Sequence, residues 1–198
     1  MTSYLVTGCA GFIGARVSEL LLNQGHSVTG IDDLSDAYSP VLKHYRLSAL
    51  RLNERFSFLG ADIRDATSIT PAFELQEHHA LLNFGARAGV RQSVMDPWLY
   101  AQTNYIAVIN LLELCREYGI EKFVQASTSS VYGNDTKPPF KELASASRPV
   151  SPYASSKKAA ETLCYTYHFN YDLDVTIFRF FTVYGPAGRP DMSVFKFI

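Results

Sequence analysis

The chain of 198 residues carries 18 Lys and Arg against 19 Asp and Glu, and 47% of it is apolar, enough to build an ordinary hydrophobic core in one domain or a domain and part of another. Near-neutral charge without a block of Lys or Arg leaves no electrostatic footprint for nucleic acid or an anionic membrane, so neither partner is expected. The longest uncharged run, Pro97 to Leu112, is interrupted by Gln102, Asn104 and Asn110 and is too short and too polar to span a bilayer.

Met1 to Thr7 lack a basic region ahead of their apolar run, so no signal peptide and a cytoplasmic location are expected. Ser3 to Thr7 reads as a strand ending at Gly8. Phe12 to Gln24 follows with Ile13, Val17, Leu20 and Leu21 at helical spacing, closed by Gly25. His26 to Ile31 is the second strand, and Val41 to Asn53 carries a helical pattern. Phe56 to Leu59 and Ala80 to Phe84 are short strands, and Asp96-Pro97 opens a helix that reaches Tyr118. Lys122 to Thr128 is the fifth strand. Ser129 to Val150 is a 22-residue irregular stretch, a length that usually marks a functional or disordered loop. Ser151-Pro152 begins a helix to about Tyr171, and Val175 to Phe180 is the sixth strand. Strands alternating with helices predict an α/β fold, a doubly wound parallel sheet of the Rossmann type. Cys9, Cys115 and Cys164 are odd in number and far apart, which fits core fillers and no metal site.

Gly8, Gly11 and Gly14 lie between the first strand and the first helix with G-x-x-G-x-x-G spacing. Backbone N–H groups there, with those of Phe12 and Ile13 at the helix start, can meet a pyrophosphate. Asp32 ends the second strand 24 residues after Gly8, where a carboxylate accepts from an adenosine ribose. It would repel a 2′-phosphate, and Lys43 is the first basic residue downstream, so the cofactor is predicted to be NAD rather than NADP. Asp62 and Ile63, just past the third strand, are candidates to bracket the adenine.

Tyr153 and Lys157 are four apart, hence on one face of the helix opened by Ser151-Pro152. An ammonium beside a phenol favours the phenolate and suits a general base for an alcohol.

With Thr7-Gly8 to Gly14, Asp62, Asn104, Ser127 to Gly133, Tyr153/Lys157 and Arg179 to Pro186 in order, the sequence resembles the extended short-chain dehydrogenase/reductases that act on nucleotide sugars. That resemblance implies a Thr128–Tyr153–Lys157 catalytic triad, with Thr128 orienting the sugar's 4-hydroxyl and Asn104 holding active-site backbone or water. It also implies a UDP-sugar substrate and a homodimer built from helices like Pro97–Tyr118 and Pro152–Tyr171.

Within the family, 4,6-dehydratases look like Thr-Asp-Glu after the catalytic hydroxyl, where this chain has Thr128-Ser129-Ser130. Galactose-type epimerases usually carry Asn where Thr182 stands. The stretches Arg179 to Met192 and Ala86 to Ser93 look like UDP-glucuronate 4-epimerases, although Arg87 replaces a usual Gln and Gly85 a common Ala. The resemblance therefore implies an NAD-dependent isomerase interconverting UDP-glucuronate and UDP-galacturonate through a 4-keto sugar. The alternatives are a non-catalytic dinucleotide-binding fragment, a UDP-glucose 4-epimerase or a UDP-glucuronate decarboxylase. Ser129, Ser130 and Thr182 are candidate neutral donors to the uronate, and Arg91 and Arg189 candidate ligands of its carboxylate or diphosphate. Residues 1–185 are expected to form the NAD-binding domain with the catalytic groups. Residues 186–198 are expected to start a substrate domain that is cut short at Phe195 to Ile198.

Overall fold

The computed structural model describes residues 2–134 and 137–190. The chain alternates β1 (Ser3–Thr7), α1 (Phe12–Asn23), β2 (Ser27–Ile31), α2 (Pro40–Leu50), β3 (Phe56–Leu59), α3 (Ala66–Glu74) and β4 (Ala80–Asn83). It continues through α4 (Val90–Met95), α5 (Pro97–Ala101), a π-helical turn (Gln102–Ile106), α6 (Ala107–Glu117), β5 (Lys122–Thr128), a 3-10 turn (Ser129–Tyr132), α7 (Pro152–Tyr171) and β6 (Asp174–Phe180). The six strands form one parallel sheet in the order β3-β2-β1-β4-β5-β6. This is the doubly wound Rossmann arrangement that the sequence predicts.

Side chains alternate across each strand, and the two faces collect separate cores. Leu5, Ile31, Leu81 and Phe123 pack on one face against Ile69 and Phe73 of α3, Leu111 and Leu112 of α6 and Cys164 of α7. Val6, Val28 and Phe56 pack on the other against Ala15 and Leu22 of α1 and Leu47 and Leu50 of α2. Leu5, Leu81, Leu111 and Leu112 are fully buried, and each contributes about 1.5–3 kcal/mol relative to exposure. All three cysteines are buried and unpaired.

Helix starts follow local chemistry. Asp96 Oδ1 accepts from Leu99 N at 3.1 Å ahead of Pro97, and Ser151 Oγ accepts from Ala154 N at 3.1 Å ahead of Pro152. Asp65 caps α3 through Thr67 N and Ser68 N. Neither α3 nor α4 is predicted by apolar spacing. Pro71 interrupts α3, and α4 is a six-residue helix set on Gly89. The helix predicted from Pro97 to Tyr118 is divided by the π turn, a distortion that recurs at functional sites and here carries Asn104. Among the described residues no helix is long and apolar enough to cross a membrane.

Candidate active site

Strand order reverses between β1 and β4, and their carboxyl ends open a crevice at that switch point, the usual ligand site of such sheets. A cavity of about 670 Å³ runs from the loops after β2 and β3, past the crevice, to the ends of β5 and β6. Behind the lining lies a buried polar ladder on paired strand residues. Thr7 Oγ1 donates to Asn83 Oδ1 at 2.6 Å, and Asn83 Nδ2 to Gln125 Oε1 at 2.9 Å. Gly85 N closes it on Thr7 Oγ1 at 3.1 Å. Such a satisfied network fixes the three strand ends relative to one another.

Gly8 turns in the left-handed region at φ 66°, and a Cβ there would lie 2.7 Å from Gly85 N. A Cβ on Gly14 would lie 2.2 Å from the Gly8 carbonyl oxygen, so α1 starts directly against the loop only because Gly14 has none. Gly8, Gly11, Phe12, Ile13 and Gly14 all line the cavity. Asp32 is buried at its edge and is held there: its Oδ2 accepts from Ala10 N at 3.1 Å and its Oδ1 from Leu34 N at 2.8 Å. Lys43, distant in sequence, folds back from α2 to place Nζ 3.5 Å from Asp32 Oδ1 and 3.2 Å from Ser35 Oγ. Asp62 and Ile63 line the same end, where Arg64 Nε donates to Asp62 Oδ2 at 2.8 Å. Burial tends to raise the Asp62 carboxyl, but the Arg64 hydrogen bonds and charge outweigh it and hold it below the ordinary range.

At the other end Thr128, Tyr153 and Lys157 line the cavity together. The helical spacing stacks Tyr153 and Lys157 on the inner face of α7, and Thr128 ends β5 beside them. Burial pushes the Tyr153 phenol above its ordinary value, opposed by a hydrogen bond with Thr128 and by the charge of Arg189. Lys157 is fully enclosed, and burial pushes its ammonium down to about 8, opposed by Cys164 and Glu161. The Tyr100 ring meets Tyr153 edge to face at 6.1 Å.

Ser129, Ser130, Thr182 and Arg189 also line this end. Arg91 does not: it is exposed on α4, directly after the lining residue Val90, while Arg87 lines the cavity. Asn104 holds the Arg87 backbone from both sides, its Oδ1 accepting from Arg87 N at 2.8 Å and its Nδ2 donating to Arg87 O at 2.9 Å. The same Nδ2 donates to Ser156 Oγ at 3.0 Å, tying the loop after β4 to α7. The expected start of a second domain lies, from residue 191 onward, outside the described residues.

The sequence reading passed over Arg46 and Glu161, and named Lys43 and Arg179 without giving either a structural role. Glu161, two turns beyond Tyr153, accepts from Ser127 Oγ at 2.6 Å, from Arg179 Nε and Nη2 at 2.9 Å each, and from Lys158 Nζ at 3.1 Å. Arg179 also donates to Glu142 O at 3.0 Å and lies over the Tyr132 ring at 4.9 Å. One carboxylate thus joins α7, β5, β6 and the loop after Thr128. The spacing of Glu161 from Lys157, four residues on the same helix face, is the signal that could have found it.

A dinucleotide-type glycine loop at one end of a cavity and a Thr, Tyr and Lys cluster at the other define a Rossmann-fold protein of the short-chain dehydrogenase/reductase class. The chain belongs to the family described as GDP-mannose 4,6 dehydratase, whose model matches residues 5–198. It is 50% identical over 198 residues to the UDP-glucuronate 4-epimerase of Thermodesulfobacterium geofontis, covering 100% of this chain and 61% of that protein. A crystal structure of the UDP-glucuronic acid 4-epimerase from Bacillus cereus with UDP-glucuronic acid and NAD superposes with TM-score 0.89 at 38% identity, covering 98% of this chain and 61% of that one. A dTDP-glucose 4,6-dehydratase from Streptomyces venezuelae with NAD and TYD bound also superposes with TM-score 0.89, at 31% identity, covering 99% and 61%. The chain therefore spans about three fifths of the length of these relatives.

Proposed function

We propose that the chain carries the cofactor-binding and catalytic part of an NAD-dependent nucleotide-sugar 4-epimerase that interconverts UDP-glucuronate and UDP-galacturonate. The observation that carries this reading is the single cavity that joins the glycine loop and Asp32 to Thr128, Tyr153 and Lys157. The residues fit the dinucleotide. The Gly8 to Gly14 backbone leaves a close-packed cradle in which a Cβ would collide, the α1 N-terminus faces it, and Asp32 suits a ribose diol. Asp62 and Ile63 flank the adenine end in this reading.

When bound, NAD supplies a reversible hydride acceptor for the sugar C4–H bond. Tyr153 takes the proton of the 4-hydroxyl and later returns it, Lys157 supports the phenolate, and Thr128 orients the hydroxyl. Ser129, Ser130 and Thr182 offer neutral donors to the uronate, which the enzyme must hold away from the geometry in which a β-keto acid loses CO₂. Arg189 takes the carboxylate or diphosphate. Arg91, exposed on α4, is left out of this set.

An epimerase is favoured over a dehydratase by where the acids lie. The carboxylates that line the cavity, Asp32, Asp33, Asp36 and Asp62, all follow β2 or β3. Among the described residues none stands at the Tyr153 end, where elimination of water would need an acid and a base. The sequence identity with UDP-glucuronate 4-epimerases supports the uronate as substrate.

Residues 1–185 form the NAD-binding domain in this reading, followed by a substrate domain beginning at 186. The reading includes a homodimer, supported by exposed Met95, Trp98, Tyr165 and Phe169 on α4, α5 and α7, which pack side by side. A cytoplasmic location goes with it, supported by three unpaired thiols.

The test is to incubate the chain with NAD and UDP-glucuronate bearing deuterium at C4. The reading predicts UDP-galacturonate with the label kept at C4, and label lost to solvent contradicts it.

A further inference from the structure

Arg46 lies on α2, outside the cavity lining, and is buried. Its guanidinium joins the glycine loop, 36 residues before it, to a turn 141 residues after it. Nη1 donates to the Ala10 carbonyl in the glycine loop at 3.1 Å and to the Tyr38 hydroxyl at 2.8 Å. On the other side Nε and Nη2 converge on the Ala187 carbonyl at 3.1 and 2.5 Å, and Nη2 reaches Gly188 O at 3.3 Å.

The turn it grips closes on an internal hydrogen bond, Gly188 N to Gly185 O at 3.1 Å, and carries backbone strain. Ala187 is a non-glycine residue at φ 54°, a conformation that costs free energy unless its surroundings impose it. The Phe12 ring, at the first position of α1, lies under Gly185, 3.4 Å from where a Cβ would stand. Arg189 follows the gripped carbonyls directly, lines the substrate end of the cavity and faces the Tyr38 ring at 6.0 Å, the ring that Arg46 faces at 5.7 Å.

We propose that Arg46 is a positioning residue that seats the 185–189 turn on the glycine loop, so that filling the dinucleotide end of the cavity steadies Arg189 at the substrate end. The proposal rests on the cofactor reading given above. Its physical basis is charge: every hydrogen bond of Arg46 goes to a neutral carbonyl or phenol, and among the described residues its cation meets no carboxylate. A pyrophosphate at the α1 N-terminus supplies the missing counter-charge, strengthens the Arg46 fork in place, and tightens the turn that the fork holds.

Amide hydrogen exchange of the full chain, free and saturated with NAD, tests this. In the wild type NAD slows exchange across 185–189 by about tenfold. In Arg46→Met the segment exchanges about tenfold faster than wild type when free and NAD no longer slows it, while amides of β1 and β4 keep their protection. Where the methionine variant does not fold, Arg46→Lys is read instead. It keeps the cation but loses the fork, and the slowing by NAD falls below about threefold. Wild-type slowing in either variant overturns the proposal, because a purely structural role changes the free rate and leaves the response to NAD intact. Failure of the wild type to bind NAD by calorimetry overturns the cofactor reading instead. The seat is then judged on free rates alone, and equal rates in wild type and Arg46→Met overturn it.

Discussion

Lys43 Nζ lies 3.5 Å from Asp32 Oδ1, and both side chains are buried at the end of β2. The pair sets how the adenosine end of the cavity treats charge. In the proposed reading Asp32 repels a 2′-phosphate and at the same time pairs with Lys43, a cation that would otherwise favour one. Asp32→Asn keeps the shape, removes the charge and leaves Lys43 with only Asp33, at 3.9 Å, as a carboxylate neighbour among the described residues. It is expected to move the NADP-to-NAD affinity ratio upward by about tenfold to hundredfold, read by calorimetry with each dinucleotide. An unchanged ratio would mean that Asp32 does not face the ribose.

Tyr153→Phe removes the proposed base and little else, since the ring keeps its contact with Tyr100. Turnover is expected to fall by about 10²–10⁴-fold, with NAD affinity within a few-fold of wild type. Loss of NAD binding to the same extent would make Tyr153 a binding residue instead.

The Lys157 ammonium, pushed by burial down to about 8 from an ordinary 10.5, gives a pH dependence with opposite signs for stability and turnover. Between those two values the unfolded chain holds a proton that the folded one has released, so this group's contribution to stability rises with pH. Turnover falls above about pH 8, because neutral Lys157 no longer supports the Tyr153 phenolate. Glu161 raises Lys157 through its charge, so Glu161→Gln moves that basic limb to lower pH. A rate that stays flat to pH 10 would remove Lys157 from the mechanism.

Strand limits were legible where apolar runs are short and bounded: β1, β3 and β5 begin and end where the sequence places them. The glycine loop and the Tyr153/Lys157 pair could be read from their fixed local spacing, and they do line one cavity, whereas Thr128 was implied only by the family resemblance. Lys43 and Arg46 were not legible, because a basic residue on a helix reads as solvated, and only the fold shows that the two share the buried face of α2 with Leu47 and Leu50. Arg91 illustrates the converse. It resembles the family's residue in sequence, but it is exposed on the short α4, whereas Arg87, four residues after the end of β4, lines the cavity.

Glu161 and Arg179 form a pair at the junction of α7 and β6 whose side chains are 4% and 17% exposed. Glu161→Ala leaves Arg179 without its carboxylate and is expected to lower folding stability by about 3–5 kcal/mol, measured by denaturant unfolding. Glu161→Gln, which still accepts from Ser127 and Arg179, is expected to cost less. Equal costs would show that the lost charge alone matters there, and not the volume or the neutral hydrogen bonds that glutamine keeps.

Gly14→Ala drives a methyl to within 2.2 Å of the Gly8 oxygen, so either the loop or the start of α1 must move. A loss of roughly 1–3 kcal/mol in stability is expected, as for overpacked cores, together with weakened NAD binding. Wild-type NAD affinity in this variant would dissociate the glycine loop from the cofactor site.

Whether the Tyr153 end of the cavity epimerises a nucleotide uronate, as proposed, is tested most directly by the product distribution from UDP-glucuronate and NAD. Chromatographic separation is predicted to show UDP-galacturonate, with no CO₂ released and no net NADH. A pentose product with CO₂, or bound NAD with UDP-glucuronate returned unchanged, would contradict it.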